Sequence, residues 1–113
     1  METNPVDKTN DLVDKTLSTE LKQSHPELSA EIENVGRRGT SEEIMMLILE
    51  LCDWKTLHAV EIASLIDQTP HHIKTNYLRR MVRDELLEYK YPENPSHNKQ
   101  AYRTTEKGKE RLQ

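Results

Sequence analysis

Apolar residues in this chain gather between Ile44 and Leu87, and their spacing divides that stretch into helices. Ile44, Leu47, Ile48 and Leu51 share one face of a helix from about Glu42 to Leu51, broadened by Met45 and Leu49. Ser41 stands at its N-cap, and Glu42 and Glu43 sit in a first turn where the helix dipole favours negative charge. Trp54 to Leu57 is too short, and too β-branched or aromatic, to be helical and predicts a brief strand. Val60, Ile62, Ala63, Leu65 and Ile66 fit a second helix, which Asp67 and Gln68 interrupt. Thr69 and Pro70 supply a cap and a residue preset for the first helical turn. Ile73, Tyr77, Leu78, Met81 and Val82 then form the stripe of a third helix.

Beyond that helix the apolar period falls to two. Leu87 to Tyr91 alternates apolar with charged, PENPSHNK (Pro92 to Lys99) breaks the pattern, and QAYRTT (Gln100 to Thr105) resumes with β-formers, which predicts a hairpin with a Pro-rich tip. Thr105 through Leu112 opens a final helix. Two helices across a short turn, the second basic on its outer face, read as a helix-turn-helix. With the early strand and the hairpin the order is that of a winged helix-turn-helix, mainly α with a small β-hairpin, over residues 40–113. Upstream, Pro26, the i, i+4, i+7 series Leu28, Ile32 and Val35, and Gly36 as a left-handed stop predict an extra amphipathic helix and linker within residues 21–39. That stripe is to be covered by its own core or by a twin helix in a two-fold homodimer. Residues 1–20 carry too little apolar surface to offset the entropy of ordering and are expected to be a flexible tail.

Composition narrows the function classes. A chain of 113 residues has room for one domain of this kind, and its 34% apolar content without any Phe implies a small aliphatic core. No run is long or apolar enough for a membrane span or signal peptide, so a cytoplasmic protein is expected. Cys52 is the only cysteine, set in the apolar run LILELC, and reads as a buried small hydrophobe. The net charge of -4 hides an asymmetry: residues 1–69 hold 6 basic and 14 acidic side chains, residues 70–113 hold 10 and 6. A basic C-terminal part on an acidic protein suits one face that meets phosphate.

The third helix offers His71, His72, Lys74, Thr75, Asn76, Arg79, Arg80 and Arg83 outside its apolar stripe. His72, Thr75, Asn76, Arg79 and Arg83 fall near one line at α-helical spacing, which can lie along a major groove. Asn pairs with adenine and Arg with guanine through two hydrogen bonds each, so His72, Thr75, Asn76 and Arg79 are the base-contact candidates. Lys74, Arg80, Arg83, Lys90, His97, Lys99 and Arg103 are candidates for phosphate contacts, which position a protein without reading sequence. Tyr89, Tyr91 and Tyr102 are expected to pin the hairpin to the core, and Trp54 to belong to that core. Adjacent helical histidines point about 100° apart, so His71 and His72 make no metal pair. With three glycines there is little material for a phosphate loop, and no triad or carboxylate pair appears, so neither catalysis nor a cofactor is expected.

YRTTEKGKERL (Tyr102 to Leu112) is similar to the close of many bacterial winged-helix regulators, with a tyrosine ending the last wing strand, a Thr cap and a Gly one turn later. YPENPSHNKQAYRTT (Tyr91 to Thr105) resembles the wing of the C-terminal domain in bacterial RecG-like helicases and divergent-ATPase, Schlafen-type transcriptional regulators. ELSAEIENVGRRGTSEEIMMLILELCDW (Glu27 to Trp54) and QTPHHIKTNYLRRMV (Gln68 to Val82) resemble that domain's lead-in and recognition helix. The resemblance spans about Leu21 to Leu112 and implies a winged helix that binds double-stranded DNA as a transcriptional regulator. The alternative it carries is a winged helix that docks or oligomerises a larger ATPase-like or helicase-like protein. The upstream nucleotide-binding and Schlafen-type portions are not in this sequence, which leaves open a small regulator or a domain of a larger protein. Where the family usually places glycine before the wing, this chain has Asp84-Glu85.

Overall fold

The computed structural model describes residues 16–35 and 38–113. Residues 16–24 are helical and form α1. Pro26, which has no N–H to give, then starts α2 (Pro26–Val35). The long α3 (Ser41–Trp54) leads into β1 (Leu57–His58) and α4 (Ala59–Ile66). A continuous helix, α5, follows as α-helix at Pro70–Ile73, π-helix at Lys74–Leu78 and α-helix again at Arg79–Arg83. The chain closes with β2 (Leu87–Tyr89), β3 (Ala101–Thr104) and α6 (Glu106–Arg111). The three strands make one antiparallel sheet in the order β1-β3-β2, so the described part is mainly helical with one small sheet.

α3 is the axis of the core. Ile44, Leu47, Ile48, Leu49, Leu51 and Cys52 are all buried along it, against Ile62 and Ile66 of α4, Ile73, Leu78 and Met81 of α5, and Leu57 and Tyr102 of the sheet. Burial pushes the Cys52 thiol up from its ordinary range and keeps it protonated. Of the hairpin tyrosines, Tyr102 is buried, and Tyr89 packs beside the core with its ring 5.6 Å from that of Tyr102. Trp54 is half-buried at the end of α3, where the His25 ring meets it edge-on at 6.1 Å.

Several boundaries differ from the sequence expectation. The N-cap of α3 is Thr40, not Ser41: Thr40 Oγ1 accepts from Glu43 N–H at 3.2 Å while the Glu43 carboxylate accepts from Thr40 N–H at 2.9 Å. Capping one residue earlier places Glu43 where it completes this reciprocal box. α3 runs on to Trp54 and the strand begins only at Leu57, because the partners of Leu57 and His58 are Tyr102 and Ala101 on β3, far along the chain. Val60 lies in α4 as expected, but its side chain is on the outside of the helix, 61% exposed.

At the N-terminus, residues 16–20 are helical, although their polar composition placed them in the tail. Leu17 and Leu21 are buried, and Glu20 pairs with Lys55. Residues 1–15 of the expected tail, and the Gly36 stop, lie outside the described residues. Leu28 and Ile32 of α2 are buried in the chain's own core and Val35 packs against it, so this stripe has its cover without a twin helix. Among the described residues no helix is long and apolar enough to cross a membrane.

Candidate functional site

Both ends of α5 are set by backbone turns. α4 closes in a Schellman motif: Asp67 is left-handed (φ 66), its N–H returns to Ser64 O, and Gln68 N–H returns to Ala63 O. Thr69 Oγ1 then accepts from His72 N–H at 3.2 Å and starts α5. The far end repeats the device. Glu85 is left-handed (φ 67), its N–H returns to Val82 O, and Leu86 N–H returns to Met81 O, with Leu86 and Met81 both buried. Glu85 thus occupies the conformation for which glycine is ordinarily used.

The hairpin is organised by Gln100, which is not among the candidate residues. Its loop is wound from successive turns, with Asn94 N–H on Tyr91 O, His97 N–H on Asn94 O and Gln100 N–H on His97 O. The Gln100 side chain, 9% exposed, fills the inside. Its Oε1 accepts from Tyr91 N–H at 2.8 Å and Ala101 N–H at 3.2 Å, and its amide donates to Tyr91, Asn94 and Pro95 carbonyls at 2.9, 3.1 and 3.3 Å. The Tyr91 ring lies flat on the His97 ring, 4.0 Å away and 9° from parallel. His97 Nδ1 accepts from Lys99 N–H at 2.9 Å, and Lys90 Nζ sits 5.5 Å over the Tyr91 ring. The available signal was one polar residue opening an otherwise β-forming strand, and nothing local distinguishes that from an exposed position.

The structure brings some candidates together and separates others. Lys74 of α5 faces the hairpin loop across an open groove that His97, Lys99, Val60 and His58 also line. Arg79 is exposed on α5 and does not line this groove. His72 and Asn76 are in contact, and Thr75 is exposed near them on α5. The π turn, in which Arg79 N–H bonds Lys74 O, offsets the later residues from the α-helical line drawn through His72, Thr75, Asn76, Arg79 and Arg83. Arg83 lines a groove with Lys107 and Arg111 of α6, and Arg80 one with Glu42 and Arg111. Arg103 is paired across the strands with Glu88, Nε to carboxylate at 2.7 Å, so a phosphate would have to compete for it. Among the described residues no group of three His, Cys, Asp or Glu side chains is placed to hold a metal ion.

Compared with protein-family models, curated proteins and solved structures, the chain gives no match to any of them.

Proposed function

We propose that the chain is a winged helix-turn-helix protein that binds double-stranded DNA in the cytoplasm, as a transcriptional regulator or its DNA-binding module. α4 and α5 form the helix-turn-helix, and the β2–β3 hairpin is the wing. α5 enters the major groove and the wing lies on the sugar-phosphate backbone. The observation that carries this reading is the open groove beside the hairpin loop, lined by Lys74 of α5 and Lys99 of the loop, in which the acidic Glu61 of α4 is engaged by His58 N–H. Cations from two separate elements flanking one open groove suit a polyanion that runs between them. The element order and the β1-β3-β2 sheet support the same reading, as does the excess of basic over acidic residues in 70–113.

The test is duplex binding by the folded protein over a series of salt concentrations, on random DNA and on a duplex selected from a random pool. Salt-dependent binding to both is expected. Asn76→Ala or Arg79→Ala costs about 1–3 kcal/mol on the selected duplex and much less on random DNA. Lys99→Ala weakens both alike and lowers the salt slope by about one counterion. Glu88→Gln releases Arg103 and has the opposite effect. Folded protein that binds no duplex at low ionic strength rejects the reading and favours a winged helix that docks a larger ATPase-like protein.

A further inference from the structure

Val60 is a large hydrophobic side chain that α4 leaves to solvent. On a helix, an exposed valine gains nothing from burial and forgoes the higher helix propensity of alanine or lysine. A single exposed apolar residue is ordinary on a protein surface, so its surroundings decide what it means. Val60 lines the open groove beside the hairpin loop together with the buried Ala59 and Tyr102, and with Lys74 of α5 and Lys99 of the loop. The charge of this groove is one-sided. Two lysines meet one carboxylate there, Glu61, whose Oε1 accepts from His58 N–H at 2.8 Å at the start of α4. Along α6 the cations are matched by acids instead: Arg83 and Lys107 share a groove with Asp84 and Glu85, and Arg80 shares one with Glu42 and Asp84.

We infer, resting on the DNA-binding reading, that this groove carries one strand of the sugar-phosphate backbone and that Val60 is its apolar contact, meeting a deoxyribose of the strand whose phosphates Lys74 and Lys99 attract. A DNA strand alternates an anion with a sugar whose ring carbons are apolar. A groove that offers ammonium groups and an exposed valine matches both parts of that repeat, whereas phosphate contacts alone call for no apolar side chain. α4 thereby enters the interface directly, besides supporting α5. An acidic peptide with apolar side chains offers the same two chemistries. The strand is favoured because the basic excess extends over residues 70–113, beyond this one groove, as a long polyanion requires and a short peptide does not.

The full chain and its Val60 variants are titrated with the selected and the random duplex over a series of salt concentrations. Val60→Ala removes two methyl groups and is expected to weaken both duplexes alike, about three- to tenfold. Its salt slope stays that of the wild type, because a valine displaces no counterion. Val60→Ile keeps the wild-type affinity. Lys74→Ala, in contrast, lowers the salt slope by about one counterion. The Val60 side chain is exposed, so both variants are expected to melt close to the wild type, and the melting transition of each verifies folding. Duplex binding that Val60→Ala leaves unchanged overturns the inference and keeps the DNA reading. A loss confined to the selected duplex overturns it as well, since it places Val60 on a base rather than on the backbone. Folded wild-type protein that binds no duplex overturns the DNA reading and the inference with it. A glutamate-rich peptide carrying leucine side chains, bound instead of DNA and lost in Val60→Ala, would assign the groove to an acidic protein partner.

Discussion

Gln100 and Tyr91 are joined by two hydrogen bonds, the side-chain oxygen of Gln100 on Tyr91 N–H at 2.8 Å and its amide nitrogen on Tyr91 O at 2.9 Å. One buried amide thus takes the place of a strand partner at the mouth of the β2–β3 loop, and the same NH2 reaches the Asn94 and Pro95 carbonyls. Gln100→Leu keeps the volume and removes these bonds. The expected outcome is a loss of about 1–2 kcal/mol. Hydrogen exchange should quicken at the Asn94, His97 and Lys99 amides while the amides of α3 stay protected. Loop amides as protected as in the wild type would assign the order of the loop to the Tyr91–His97 stack instead.

Glu85 holds a left-handed conformation that costs a side-chain-bearing residue about 1–2 kcal/mol, part of which a glycine recovers after its own entropic cost in the unfolded chain. Glu85→Gly should therefore stabilise the protein by about 0.5–1 kcal/mol. The ion pair it gives up with Lys107, 3.9 Å apart and largely exposed, contributes little. Glu85→Ala, which keeps the Cβ, should yield no such gain. Denaturant midpoints of the two variants separate backbone strain from charge.

Gly108 marks where α6 closes on the sheet. A Cβ there would lie 2.4 Å from Leu86 O and 2.7 Å from the Thr104 methyl. Thr105, whose Oγ1 accepts from Gly108 N–H and donates to Glu85 O, holds the helix start at that distance. Gly108→Ala should cost about 1–3 kcal/mol through overpacking, despite alanine's better helix propensity, with a lower melting temperature as the readout.

The Tyr102 phenol is pushed up to about 12, first by burial, with the Tyr89 phenol adding and Arg79 opposing. Because the folded value lies above the unfolded one, near 10, the stability linked to this group is complete below about pH 10 and is lost as pH rises toward about 12. Melting temperature should fall over that window in the wild type and less steeply in Tyr102→Phe. Parallel profiles would mean that Tyr102 ionises as readily in the folded chain as in the unfolded one.

Local and periodic features were legible in the chain alone. The stripes of α3, α4 and α5, the Thr69-Pro70 start, the hairpin and the basic C-terminal part follow from the spacing of apolar residues and the chemistry of caps, which act within one or two turns. Features that depend on a distant partner emerge only on folding. Two leucines in α1 are too few to announce a helix, yet Leu17 and Leu21 are buried. The place of β1 follows its pairing with β3, and Arg103 is engaged because the register sets it opposite Glu88. Gln100 is an inner strut only because its loop winds around it. At His72 and Asn76 the four-residue spacing was visible, but not that the Asn76 amide nitrogen is held by the His72 carbonyl. Periodicity places side chains on a face; it does not specify which of their polar atoms are already engaged.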